Sequence, residues 1–354
     1  GHRWFDVDSL PEVELIASRC PGATMAFMNP VKSRRAIASA YHDHGVKIFV
    51  LDCEAELQKI LQETGYARDL TLVVRLAVSN DGATLPLAGK FGATEAEAPD
   101  LIRLARAHAH ELGVSFHVGS QCMAPSAYRA AMMEASRLIA RAGVTVDIVD
   151  VGGGFPSIYP GLTPPPLEDY VKAIEHAFED MMVLENADLW CEPGRALVAE
   201  AVSVLTRVEL IKGDAVYMND GSYGCLFDIV HARWNYPMRV HRANGELSPQ
   251  TAPFKLYGPT CDSIDSMPGP YELPADLKEG DVIEFGMLGA YGTAMATRFN
   301  GFGDVETVTV SDYPWLSLYD QPVLASPQSE PQSEGSVVPF TRLRRRRQRL
   351  IKRR

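Results

Sequence analysis

The chain has 354 residues, 46% hydrophobic and 22% charged, a composition that buries a substantial core and excludes wholesale disorder. A length of this order fits one large or two ordinary domains. No apolar run approaches the roughly 18 residues that a membrane-spanning helix needs. The chain begins at Gly1 with no basic-then-apolar leader, so no signal peptide is visible. Net charge is −11, unevenly spread: residues 342–354 hold nine Lys/Arg and no acid, which leaves 25 basic against 45 acidic residues elsewhere. A body that acidic is a poor nucleic-acid binder. Six cysteines (Cys20, Cys53, Cys122, Cys191, Cys225 and Cys261) show no paired ligand spacing; they read as reduced thiols of a cytoplasmic protein, without a disulfide frame or a metal site.

In chain order, β-branched or aromatic runs at 3–7, 23–28, 46–51, 70–78, 114–118, 144–151 and 187–191 predict seven strands. Helical patterns lie between most of them. Leu57, Ile60 and Leu61 follow the i, i+3, i+4 spacing, as do Leu101, Leu104 and Ala105; Ser9-x-x-Glu12 and Thr94-x-x-Glu97 read as capping boxes. Such alternation predicts a parallel sheet covered by helices, an α/β barrel of the (β/α)8 TIM type in which one strand of eight is missing. The strand ends carry Asp6, Asn29, Asp52, Arg75, His117, Asp150 and Glu192. The C-terminal face of such a barrel is where chemistry is assembled, so polar groups there form a candidate site.

From about residue 196 the pattern changes. Runs at 198–211, 215–219, 254–257, 282–285 and 305–310 predict an all-β domain over 196–318, after a barrel domain over 1–195. Residues 321–341 are rich in Pro, Ser and Gln and read as an unfolded linker, so 319–354 is expected to be disordered linker and basic tail. The tail reads as an extension with nonspecific charge; polyanion binding is the weaker alternative.

Several stretches invite chemistry. Gly152-Gly153-Gly154 leaves a strand, and consecutive glycines let backbone N–H groups surround a phosphate; an ordinary tight turn is the other reading. Glu192-Pro193-Gly194-Arg195 places a carboxylate where it would hold a protonated ring nitrogen and an Arg where it would meet a phosphate, or else forms a turn with a local salt bridge. His117 and Ser120 sit at one strand end, although most isolated histidines are structural. His108 and His110 read as solvated on a helix, and His42 and His44 as a helix C-terminus. Cys261-Asp262 in a Gly/Pro turn combines a thiol with a carboxylate that would read a cation; most loop cysteines are inert. Tyr291 lies in another Gly-rich turn.

Together, FDVDSLPEVELI (5–16), MNPVK (28–32), KFGA (90–93), GVSFHVGSQC (113–122), DVGGGFP (150–156), EPGR (192–195), NDGSYG (219–224), GPTCDSID (258–265) and GAYGTAMATRFNGF (289–302) closely resemble the basic amino acid decarboxylases that use pyridoxal 5′-phosphate (PLP), with the alanine-racemase-like barrel fold. The resemblance implies that Glu192 pairs with the pyridinium nitrogen and His117 stacks on the ring. It implies that Gly154, Ser120, Arg195 and Tyr291 hold the phosphate, that Gly153 and Gly194 also bind the cofactor, and that Asp6 and Arg75 support the ring region. Cys261 would direct protonation after CO₂ leaves. Asp262 would bind the distal ammonium of the substrate, with Tyr223 a further substrate-binding residue, and Cys261 and Asp262 would reach the site from the partner subunit of a homodimer.

A carboxylate at Asp262 suits ornithine or lysine and disfavours a diaminopimelate substrate. The further acid of the eukaryotic ornithine enzymes would match near His231–Ala232, and Asp228 is displaced from it; ornithine is preferred, with lysine or dual use as alternatives. The product would be a diamine such as putrescine, in polyamine biosynthesis, with no membrane or specific nucleic-acid partner. The family's Schiff-base lysine would lie upstream of FDVDS, before residue 1. Lys32 and Lys90 match other stretches and do not replace it. The chain as given is therefore expected to be inactive, or to be a catalytically dead homologue.

Overall fold

In a computed structural model of the chain, the described residues are 1–317 except 88, 182, 184, 185 and 233. The linker and basic tail expected at 319–354 lie outside the described residues. The chain divides into two compact units, one holding 1–154 and 167–192, the other 155–166 and 193–317.

All seven strands expected in the first unit form: β1 (Trp4–Val7), β2 (Thr24–Phe27), β3 (Ile48–Leu51), β4 (Thr71–Arg75), β6 (Glu111–Ser115), β8 (Ile148–Asp150) and β9 (Asp188–Trp190). They pair in parallel in chain order. β3 and β4 are apolar on both faces, as strands enclosed on both sides must be. Met28, Ile48, Val50 and Val73 pack within the sheet's curl together with Ala26 and Trp190. The curl carries the two edge strands toward each other, so that the rings of Trp4 on β1 and Trp190 on β9 stand 5.6 Å apart. This is a curled parallel sheet of the TIM-barrel type with seven strands, whose edges β1 and β9 do not pair.

Helices cover the sheet: α1 (Leu10–Arg19), α2 (Arg34–His42), α3 (Glu54–Glu63), α4 (Ala98–Arg106), α5 (Pro125–Ala142) and α6 (Leu167–Asp180). Ser9 caps α1 by accepting the Glu12 N–H, while the Glu12 carboxylate accepts the Asp8 N–H at 2.6 Å. In α5, Tyr128, Ala131, Met132, Ala135, Leu138, Ile139 and Ala142 are buried on one face, and Gly143 at φ +67° stops the helix. Each such Leu or Ile contributes about 1.5–3 kcal/mol of burial.

Two local expectations shift. Residues 94–97 form a turn in which the Glu97 carboxylate accepts both Thr94 donors, and the helix starts only at Ala98, next to Pro99. His108 and His110 fall beyond the end of α4, not on a helix. The sequence pattern also missed the short antiparallel pair β5 (Ala83–Leu85) and β7 (Ser120–Cys122).

The second unit is built on a six-stranded sheet of β10 (Val204–Lys212), β11 (Ala215–Met218), β12 (Met238–His241), β13 (Thr251–Tyr257), β14 (Ser266–Pro274) and β15 (Val282–Phe285), in the order β12-β15-β10-β11-β13-β14. β11 and β13 pair in parallel; the other neighbours are antiparallel. The run predicted from 198 begins as a strand only at Val204, because Arg195–Val198 forms the short helix α7 and Ala199–Ala201 a 3₁₀ turn. A second short helix, α8, spans Phe227–His231. β14 was hidden by its prolines, which an edge strand tolerates. Residues 305–310 are not a strand: the segment is exposed and has no ladder partner among the described residues.

Candidate active site

The C-terminal ends of β1, β4, β8 and β9 and the segment after β6 gather Asp6, Arg75, Asp150, Glu192 and His117. Glu192 follows β9, and its N–H donates to Gly152 O at 2.9 Å, which ties the strand end to the glycine loop. Its Oε1 is buried and meets no hydrogen-bond partner among the described residues. Burial pushes its carboxyl well above the usual range, and the negative charges of Asp150 and Asp6 push it further. Glu192 hydrogen-bonds with Asp150, which burial also raises and which accepts the Gly152 N–H at 2.8 Å. Asp6 is pushed up to about 8, first by the loss of water around its carboxyl and then by the negative charges of Asp8, Asp150 and Glu12. Water still reaches Asp6, so the enclosed Glu192 is the firmer case of a carboxyl kept protonated. Arg75 is the cation whose field lowers all three acids.

His117 is neutral: burial, then the charge of Arg75, takes its pKa down to about 4. Gly119 N–H donates to its Nδ1 at 2.9 Å, so the ring proton sits on Nε2. Asn80 holds the His117 carbonyl at 2.9 Å.

The glycine loop is packed from one side. The carbonyls of Gly152, Gly153 and Gly154 accept from Glu192 N, Tyr128 Oη and Cys122 N. The Gly153 and Gly154 N–H groups meet no acceptor among the described residues. Gly154 has φ +98°, and a Cβ there would lie 2.4 Å from Gly119 O. Adjacent free N–H groups of this kind suit an anion. Ser120 is buried on β7, next to the left-handed Gln121 at φ +55°. Asn29 and Asp52, the other two polar strand ends, serve their own loops by accepting Val31 N and Gly92 N. Lys32 is also structural: its amine, which burial lowers to about 8, donates to Asn29 O at 2.8 Å and Val50 O at 2.6 Å and pairs with Glu56 at 3.2 Å.

In the second unit, Arg195 is buried, and its NH1 donates to Asp228 at 2.6 Å and Tyr159 Oη at 3.0 Å. Its NH2 reaches the other Asp228 oxygen, and its Nε is buried without a partner among the described residues. Tyr291, at φ +57°, lies over the same guanidinium at 4.7 Å. Gly194 is exposed at the start of α7. Asp228 is thus committed to Arg195 and Tyr236, a pairing that no sequence spacing announced.

The Cys261–Asp262 turn is more open. Cys261 is exposed and its Sγ donates to Asn300 Oδ1 at 3.4 Å. Tyr223 Oη donates to Asp262 Oδ2 at 2.6 Å, and Ile264 N–H to Oδ1 at 3.1 Å. These donors hold the Asp262 carboxylate below its usual range.

The model of the pyridoxal binding domain of pyridoxal-dependent decarboxylases matches residues 3–199, and the chain belongs to that family. It is 35% identical to a lysine/ornithine decarboxylase of Selenomonas ruminantium, over 88% of this chain and 78% of that protein. Its fold matches a crystal structure of an SrLDC mutant in complex with PLP, with a TM-score of 0.74 and 32% identity, covering 85% of this chain and 77% of that one. It also matches the lysine/ornithine decarboxylase of Vibrio vulnificus complexed with cadaverine, with a TM-score of 0.73 and 29% identity, covering 87% and 82%. The cofactor of the family is PLP. The residues present fit it: an enclosed Glu192 oxygen with no partner among the described residues for a ring nitrogen, a neutral imidazole, and glycine N–H groups without an acceptor among those residues for a phosphate.

Proposed function

We propose that this PLP-dependent amino acid decarboxylase acts on a basic amino acid, with L-ornithine preferred and lysine or dual use as the alternatives. Bound PLP supplies a ring that accepts the electron pair left when the α-carboxylate departs as CO₂. Glu192 would pair with the ring nitrogen through its open Oε1 and keep that nitrogen protonated, and the charge of Asp150 behind it raises the proton affinity of the carboxyl. His117, uncharged, offers a flat face to the ring without competing for the proton. The N–H groups of Gly153 and Gly154, with Ser120, bind the phosphate. Gly194, Arg195 and Tyr291 are the further residues that the family resemblance assigns to the cofactor. Asp6 and Arg75 set the charge around the ring, and Cys261 returns a proton after decarboxylation.

The observation that carries the choice of substrate class is Asp262: a carboxylate held ionised by Tyr223 and Ile264 binds a distal ammonium and repels a distal carboxylate. In this assignment the barrel domain spans 1–195 and the β-domain 196–318, and the protein works as a cytoplasmic homodimer in polyamine biosynthesis. Six free thiols fit a reducing compartment. The test is CO₂ release from carboxyl-labelled ornithine, lysine and arginine by the full-length, PLP-loaded protein. Release from ornithine or lysine is expected. No release from any of them with PLP bound would leave the non-catalytic homologue as the answer.

A further inference from the structure

Two turns of the second unit, 220–224 and 258–265, are joined by one carboxylate. Asp265 is 2% exposed. Its Oδ1 accepts the Ser222 N–H at 2.8 Å and the Ser222 hydroxyl at 2.9 Å. Its Oδ2 accepts the Thr260 N–H at 3.0 Å and the Thr260 hydroxyl at 2.8 Å. Four donors on two oxygens leave the group purely an acceptor. The slot exists because Gly221 and Gly258 lack side chains: a Cβ on either would fall 2.3 or 2.2 Å from Oδ1. The backbone of Asp265 also closes the second turn, donating to Asp262 O at 3.0 Å and accepting from Gly258 N at 2.9 Å.

Each gripped residue stands beside a residue of the proposed substrate pair. Ser222 precedes Tyr223, and Thr260 lies two before Asp262. The Tyr223–Asp262 hydrogen bond spans the two turns that Asp265 clamps. From the far side, Thr297 donates twice to Tyr223 O, and Phe299 packs on the Tyr223 ring at 4.8 Å.

We propose that Asp265 is a positioning residue for substrate selection, fixing the Tyr223–Asp262 pair in the geometry that binds a distal ammonium. This rests on the assignment of Asp262 as the ammonium-binding acid. Loosening the clamp frees the partly exposed Asp262 to turn to water, while the sheet beneath is untouched.

The test is calorimetric binding of 1,4-diaminobutane and of butylamine to the PLP-loaded full chain, which needs no turnover. The native protein is expected to prefer the diamine. Asp262→Asn should abolish that preference. Asp265→Asn, whose side chain keeps a single oxygen acceptor, should weaken diamine binding about tenfold while leaving butylamine binding and PLP content unchanged. The double variant Ser222→Ala/Thr260→Ala retains both backbone N–H donors and should lose part of the preference; it decides the matter if Asp265→Asn does not fold. A full preference in the folded Asp265→Asn protein, or in the double variant where that protein does not fold, alongside its loss in Asp262→Asn overturns the role of Asp265 alone. A full preference in Asp262→Asn overturns the ammonium assignment and the clamp with it.

Discussion

Glu192 and Asp150 hydrogen-bond to each other beyond the ends of neighbouring strands, and burial raises both carboxyls above their usual range. Glu192 Oε1 is enclosed and without a partner among the described residues. A buried polar atom with nothing to bind costs free energy, and it marks the place where a ligand group completes the site.

Glu192→Gln removes the acid that keeps the ring nitrogen protonated. In fully PLP-loaded protein, kcat is expected to fall about 10²-fold or more, with KM changed much less. Steady-state kinetics on the preferred amino acid check this.

Two groups of the site give opposite pH dependence. His117 has a folded pKa of about 4, below the ordinary imidazole value of 6.5. The unfolded chain therefore takes up the proton first as pH falls, and stability drops between about 6.5 and about 4, by at most about 3 kcal/mol. Glu192 is raised above the ordinary carboxyl value of 4.5, so the folded chain holds the extra proton and stability drops as pH rises above about 4.5 toward its folded value. Denaturation of the cofactor-free protein across pH, compared with His117→Gln and Glu192→Gln, should show each variant losing its own limb.

Gly154 and Gly161 are both left-handed, at φ +98° and +79°, but only Gly154 is crowded. Gly161→Ala should cost about 1 kcal/mol of backbone strain. Gly154→Ala adds a clash with Gly119 O and should cost about 2–4 kcal/mol. Urea titration of both variants measures the difference, and PLP affinity should fall only in the second.

Arg195 and Asp228 are each 5% exposed. Removing Asp228 strands a buried guanidinium, so Asp228→Ala should lower stability by about 3–5 kcal/mol, whereas Arg195→Met combined with Asp228→Leu should cost less than the single change. Chemical denaturation of both variants checks the ordering.

Much of the barrel was legible because strand and helix periods alternate cleanly: all seven parallel strands follow β-branched runs, and the polar strand ends mark one face. The glycine loop and the Glu192-Pro193-Gly194-Arg195 turn were visible because they interrupt those runs. The raised carboxyls of Asp150 and Glu192 were not, since a pKa depends on burial and field across strands distant in sequence. The Arg195–Asp228 pair spans 33 residues, and the grip of Asp265 on Ser222 spans 43; neither separation leaves a local period. β14 was masked by prolines that only its edge position permits. The 305–310 run shows the converse: β propensity without a neighbouring strand does not make a ladder.

The most direct measurement is a titration of PLP into the native chain and into Glu192→Gln, followed by the absorbance of the bound cofactor. The predicted result is saturable binding to the native chain, weakened about tenfold or more by the substitution. No saturable binding, or equal affinity in the two proteins, would contradict the placement of the ring nitrogen at Glu192.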